Sequence, residues 1–281
     1  MLRRLNLTDW LFAVYLVSGV LVVMLHQQIP SWRTLIVLHG AALAAIVFLA
    51  YFASLSSAVN FLHDWYPLVL PIATFEEVAY LSRHVFPGWR DGIFLALESK
   101  LFSVPPTVWL GQHTSWWLTE ILEIGYFSYY VLVIIVGGAL YARTNKQPFR
   151  SVMAANTLSH LICYVVFIAL PTEGPAHTLA AMHTQPLPGG PFHALVNFIQ
   201  RHGGVHGNAF PSSHVAAAVV VLHYAWRYAP KLAMALTPFV VLLSVGAVYD
   251  RYHYLSDVIG GVVVGVAATG LIWKFSTAST R

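Results

Sequence analysis

Long apolar runs alternate with short polar breaks along almost the whole chain. A membrane crossing needs about 20 mostly apolar residues. Seven segments meet that need, at residues 10–25, 35–55, 121–141, 152–170, 213–228, 232–249 and 255–275. An eighth is expected at residues 66–81, where Glu76 and Glu77 sit inside the run and would have to face protein or a wet cavity. The alternative for this stretch is an interfacial helix and seven crossings. Residues 85–120 break the pattern with Pro87, Pro105 and Pro106 and with Trp89, Trp109, Trp116 and Trp117. Tryptophan favours the membrane–water boundary, so short or irregular helices at the outer face are expected there.

Composition agrees with the pattern. The 281 residues are 58% hydrophobic and 9% charged, against about 25% charged in soluble domains. The mean hydropathy is +0.67. The fold class is therefore all-α, a polytopic membrane protein read as one transmembrane domain over residues 1–281. Residues 1–60 hold N-terminal helices, 61–120 the uncertain crossing and interfacial segment, and 121–275 a catalytic core. Arg3 and Arg4 precede the first run, which lacks a small-residue cleavage pattern and is expected to be a retained helix. Cys163 is the single cysteine, which leaves no intrachain disulfide.

Charge placement gives the orientation. Lys and Arg collect in cytoplasmic loops. Arg3 and Arg4, then Arg143, Lys146 and Arg150, then Arg227 and Lys231, then Lys274 and Arg281 mark the inner side. Both termini are expected in the cytoplasm. An even number of crossings must then separate the N-terminus from the Arg143 loop, which is the argument for the eighth. The small net charge of +4 forms no nucleic-acid patch.

Two polar clusters fall on the opposite, non-cytoplasmic side, each at a helix start. The first runs from Gly207 through Pro211, Ser212, Ser213 and His214, and the second from Tyr249 to Asp257. His253 and Asp257 are four apart and share a helix face. A carboxylate there accepts the proton-bearing ring nitrogen, fixes the tautomer and leaves the other nitrogen free to attack. Arg251 is suited to bidentate phosphate binding if its backbone is not yet helical. Alone, this cluster reads more readily as a helix cap with an interfacial basic residue. In the first cluster, Pro211 is expected to start a helix and Ser212 or Ser213 to cap it. Free N–H groups at such a start bind phosphate, and His214 beside it suits a general acid. A Ser-capped helix with a hydrogen-bonded histidine is the plain alternative. The pairing of the two clusters on one face is what points to chemistry.

The Pro211-Ser212-Ser213-His214 and His253-x-x-x-Asp257 strings resemble the second and third motifs of the type 2 phosphatidic acid phosphatase and haloperoxidase superfamily, over roughly residues 120–275. The strings Arg251-Tyr252-His253-Tyr254 and Asp257-Val258-Ile259-Gly260-Gly261 look like the branch containing inositol phosphorylceramide synthases. Trp65-Tyr66-Pro67 and Glu98-Ser99-Lys100-Leu101-Phe102 resemble it more weakly. The resemblance implies a six-helix core with extra N-terminal helices. It implies His253 as nucleophile forming a phosphohistidine, Asp257 orienting it, and His214 protonating the leaving group and later activating the acceptor. Ser212, Ser213 and nearby backbone would hold phosphate oxygens. The first motif, a lysine followed by an arginine–proline pair, is missing, and Ala247 stands where the third motif usually has arginine. The clamp would then come from Arg251, Arg201, His177 or Lys100.

The expected substrate is a phospholipid, polyprenyl phosphate or sphingolipid phosphate within the bilayer, with no cofactor. The acceptor is a hydroxyl or water. The loop of residues 171–210 carries His177, His183, His193, His202 and His206, but no spacing there matches a metal-ligand pattern, and a lid is expected instead. A proton-coupled transporter is the competing class. Internal repeats and broken midplane helices would mark one, and neither is evident.

Overall fold

Asn6 opens the first helix with a reciprocal cap: Asp9 N–H donates to its side chain at 3.0 Å, and its own N–H donates to the Asp9 carboxylate at 2.7 Å. The computed structural model describes residues 5–278, and side chains through residue 275. Arg3, Arg4 and Arg281 lie outside the described residues. The elements are all helical: α1 (Leu7–Leu25), α2 (Trp32–Phe52), α3 (Ser57–Trp65), α4 (Leu70–Val85), α5 (Asp91–Leu101), α6 (Pro106–Gly111), α7 (Trp116–Phe127), α8 (Tyr129–Tyr141), α9 (Gln147–Ala169), α10 (Pro175–Thr178), α11 (Pro191–Gly203), α12 (Ser213–Tyr228), α13 (Pro230–Tyr249) and α14 (Leu255–Ala278). No strand occurs among the described residues.

Five helices are long and apolar enough to cross a membrane: α1, α2, α9, α13 and the 255–275 part of α14. The expected span at 121–141 is instead the pair α7 and α8, bent by 44°. The chain is thus a multi-pass helical membrane protein. Two further expected spans differ from their sequence reading. The 213–228 segment is a helix of 16 residues, about 24 Å long, short of the roughly 30 Å hydrocarbon layer. The 66–81 segment is broken. Pro67 sits in a single 3-10 turn at residues 66–68, and α4 starts only at Leu70. Among the described residues, the eighth crossing is not a spanning helix.

The chain groups into two compact units, one through Glu77 and one from Val78 onward. In the first, α1 and α2 pack together and turn Val14, Leu21, Val37 and Leu38 outward. Such outward apolar side chains suit a lipid-facing surface. Glu77, flagged in the sequence as costly, pairs with buried His39 at 3.1 Å. His39 fits because α1 carries Gly19, where a Cβ would stand 2.5 Å from the imidazole Nε2.

In the second unit α12 is central and packs on α8, α9, α13 and α14. Its inner face is Val215, Ala216, Ala217, Ala218, Val220, Val221, Tyr224 and Ala225, all buried. Small residues let backbones approach closely where lipid offers no hydrophobic drive. On α14, Gly261 and Gly265 supply this. A Cβ at Gly261 would stand 2.5 Å from the Ser212 carbonyl oxygen, and one at Gly265 2.6 Å from that of Ala216. The obstacle is backbone, so Gly261→Ala must push α12 from α14. We expect it to cost about 1–3 kcal/mol, the usual penalty of overpacking. A lowered thermal midpoint in detergent is the readout, and an unchanged midpoint would contradict the packing argument.

Candidate functional site

The start of α12 and the start of α14 meet. Ser212 N–H donates to the Asp257 carbonyl oxygen at 2.9 Å, so the two polar clusters are joined backbone to backbone. Ser212 is the N-cap of α12, and its Oγ accepts from Val215 N–H at 3.4 Å. Pro211 therefore lies before the helix and not at its first position. An α-helix leaves its first N–H groups without intrahelical partners. Here the cap takes Val215, which leaves Ser213 and His214 N–H as the donors that the helix does not use.

The second cluster is shaped by its own loop. Arg251 has a left-handed backbone, φ +66°, so it stands outside the helix, as a phosphate-binding role would need. Its guanidinium donates to the Gln185 carbonyl at 2.6 Å. His253 N–H donates to Ala247 O at 2.8 Å, which folds the turn back on α13. Asp257, fully buried, accepts from Tyr254 N–H at 2.9 Å and faces His253 Nδ1 at 3.4 Å. That second distance is at the long end for a hydrogen bond. Catalytic contacts in ligand-free structures are often long and tighten on binding.

The two histidines share one space. The His214 and His253 rings are 6.2 Å apart, centre to centre. His214 is held by two aromatic neighbours on α7 and α8, Tyr126 at 5.2 Å and Tyr129 at 4.2 Å. Its Nδ1 is buried with no hydrogen-bond partner among the described residues. Reacting atoms approach to about 3–3.5 Å before bond making. A 6 Å interval therefore accommodates one tetrahedral centre between an attacking ring and a proton-donating ring.

Buried carboxylates hold this arrangement from outside. On α5, Asp91 accepts from Glu173 N–H and Gly174 N–H at 2.8 Å each and from Tyr254 OH at 3.0 Å. Glu98 accepts from Ser256 N–H at 3.0 Å and its Oγ at 3.2 Å, capping α14 from another element. Burial pushes Glu98 above the usual carboxylate range, while these donors pull it down. On α7, Glu120 accepts from Gly190, Phe192 and His193 N–H at 2.8–3.0 Å, and so caps α11. Glu123 accepts from His193 Nδ1 at 2.8 Å and from Tyr252 OH at 3.3 Å. The loop expected as a lid thus carries an amphipathic helix pinned to α7. Sequence reading gave none of the four carboxylates a role, although Glu98 lies in a string quoted for the family resemblance. The signal for Glu120 and Glu123 was present, since charges three apart at the start of an apolar run rarely lack a partner.

Asp250 is buried and neither oxygen has a partner among the described residues. Burial, then the nearby Glu123 carboxylate, push it well above the usual carboxylate range. The folded carboxyl thus keeps its proton to higher pH than the unfolded one, which ionises above about pH 4. A raised carboxyl pKa contributes stability that is full below the unfolded pKa and lost as pH rises through the folded pKa. Asp250→Asn removes that loss. We expect a higher thermal midpoint than wild type at pH 8 and a gap that closes toward pH 4. A variant less stable at pH 8 would contradict the assignment.

Of the expected site residues, His214, His253, Asp257, Ser212 and Ser213 come together, while the Arg251 guanidinium reaches the Gln185 carbonyl. Arg201 is exposed near the end of α11, and Lys100 is exposed on α5. His177 is exposed and groups with Glu173 and His206. That grouping was invisible in the spacing of the loop histidines.

A helical membrane bundle with two histidines and an aspartate at paired helix starts defines a class. The profile of the PAP2 superfamily matches residues 93–271, well over half of the chain, and the protein belongs to that superfamily. The match begins ahead of residue 120 and takes in most of α5, with Glu98. The chain is 22% identical over 217 residues to a PA-phosphatase related-family protein of Dictyostelium discoideum. That alignment covers 69% of this chain but only 39% of the relative's length. No solved structure matches the chain.

Proposed function

We propose that the protein cleaves a lipid phosphoester through a phosphohistidine and passes the phosphoryl or head-group phosphate to a hydroxyl acceptor. The observation that carries this is the 6.2 Å pairing of His214 with His253, backed by Asp257. His253 Nε2 forms the N–P bond as the P–O bond to the lipid alkoxide breaks. His214 gives its proton to the departing oxygen. In the second step His214 takes a proton from the acceptor hydroxyl, whose oxygen forms a new P–O bond as N–P breaks. Asp257 stabilises the charge on the His253 ring in both steps. Ser213 and His214 N–H, with Arg251, hold the phosphate oxygens. No step calls for a metal ion.

Superfamily membership supports lipid phosphoester cleavage. Transfer rests on the Arg251-Tyr252-His253-Tyr254 string and its likeness to inositol phosphorylceramide synthases. Water as acceptor, giving a plain lipid phosphatase, is the second reading, favoured by the likeness to the PA-phosphatase related-family protein of Dictyostelium discoideum. The test is incubation, in EDTA, with phospholipid, polyprenyl and sphingolipid phosphates, with and without inositol, and mass spectrometry of all products. A new inositol phosphoester that requires inositol (a monoester from a lipid phosphate, a phosphodiester from a head-group phosphate) supports transfer. Free phosphate regardless of inositol supports the phosphatase. No product from any lipid ends both readings.

The charge pattern along the sequence supports a non-cytoplasmic side for these motifs. Gly203, at the end of α11, has open space around its Cβ position. Native Cys163 is fully buried and silent to aqueous reagents. Gly203→Cys should therefore react with an impermeant maleimide in intact cells. Reaction only after permeabilisation would reverse the orientation.

A further inference from the structure

We propose that Glu173, His177 and His206 form a binding site for a zinc-class divalent ion that fastens the two ends of the lid-bearing loop. Their ligand atoms all lie within 4.8 Å of one another. Glu173 and His177 stand where the loop leaves α9, and His206 where it approaches α12. An ion on these three residues would close the loop of residues 171–210 at its neck and limit the freedom of α11 above the histidines.

The chemistry of the set selects the ion. Two imidazoles and a carboxylate suit zinc and related transition metals better than calcium or magnesium, which prefer all-oxygen sites. Bonds of about 2.0–2.1 Å in a tetrahedral set place donor atoms about 3.3 Å apart. His206 Nε2 and Glu173 Oε1 are at 2.9 Å, and the His177 and His206 rings are 4.5 Å apart. Rotamer-scale adjustment brings the three to that spacing. Three protein ligands leave a fourth position for water, and the exposure of the site provides an entry path.

Outer contacts hold these ligands in place, as metal sites require. Thr178 Oγ1 donates to the other Glu173 oxygen at 3.3 Å. Trp89 packs on the His206 ring at 5.2 Å. The Glu173 and Gly174 N–H groups are fixed on Asp91. Gly174 and Gly207, next to the ligands, take left-handed φ values of 97° and 103°. At Gly207 a Cβ would stand 2.8 Å from the Trp89 ring, so the backbone there is shaped for this packing.

The test uses untagged full-length protein in detergent, freed of metal, so that no affinity tag contributes ligands. Zinc is titrated by calorimetry, and cobalt is followed by visible absorption, with His177→Ala/His206→Ala and His206→Gln alongside. We expect one ion per chain, at least tenfold weaker binding in the double variant, and intense cobalt bands in wild type only. Zinc should raise the wild-type thermal midpoint and leave the variants unmoved. His206→Gln keeps a polar partner for Glu173, so it preserves the surface hydrogen bond while losing the ion. Wild-type protein binding zinc no more tightly than His206→Gln would overturn the proposal and leave a hydrogen-bonded surface cluster. The readouts do not involve turnover, so this outcome is separate from the fate of the catalytic reading.

Discussion

His253→Ala is expected to bring turnover to background and to abolish the covalent phosphoenzyme. In the proposed mechanism the ring forms the only new bond to phosphorus in the first half of the reaction. Removing a nucleophile from a histidine-assisted site has cost about 10⁶ in kcat in well-studied hydrolases, and a loss of that order is expected here. No neighbour replaces it. His214 faces the same space, but its ring is clasped by Tyr126 and Tyr129 on the opposite side. The substitution should leave the fold intact, because the turn is held by the backbone bond from His253 N–H to Ala247 O. Asp257→Asn should fall between this variant and wild type. It keeps the nucleophile but favours the wrong tautomer, and a drop of about 10²–10⁴ follows by analogy with the orienting carboxylate of a catalytic triad. Acid quench and mass spectrometry of the intact chain read the phosphoenzyme directly. Folded His253→Ala with near-normal activity would remove the nucleophile assignment and the mechanism together.

How much of this was legible in the sequence depends on distance along the chain. The His253–Asp257 pair is local, and the two motifs each open a helix, so both were readable as strings. What joins them, Ser212 N–H to Asp257 O, requires the close α12–α14 approach that Gly261 and Gly265 permit. The outer carboxylates were not readable as partners. Glu98 and Ser256 are 158 positions apart, and Asp91 and Tyr254 are 163 apart. Tyr126 and Tyr129 looked like ordinary aromatics of an apolar run. The bend between α7 and α8 has the same character. Hydropathy runs through it without a break, yet Ser128 Oγ turns back to Gly125 O at 2.6 Å and its N–H is shared between the Ile124 and Gly125 carbonyls. Serine back-bonding of this kind bends helices, and hydropathy does not register it. Pro67 and Pro71, by contrast, stand in the sequence as breakers within the expected eighth crossing, where the charge-parity argument weighed only Glu76 and Glu77.

His214→Ala is expected to separate two substrates that differ only in their leaving group. With a lipid alkoxide, departure needs a proton, and loss of a general acid costs about 10²–10⁴. With p-nitrophenyl phosphate or its diester, the leaving anion is stable and departs unprotonated, so the first step should be nearly as fast as in wild type. The second step is different. An acceptor hydroxyl must still lose a proton to the base that has been removed. The variant should therefore release about one equivalent of p-nitrophenolate per enzyme and stall as the phosphohistidine on His253. This burst is a signature that a merely misfolded or weakened enzyme does not give, since loss of folded protein lowers both steps alike. The site geometry favours the outcome, because Tyr126 and Tyr129 would border the space left by the His214 ring without supplying a base at neutral pH. Equal loss of activity toward both substrates, with no burst, would show that His214 serves the packing of Tyr126 and Tyr129 and transfers no proton.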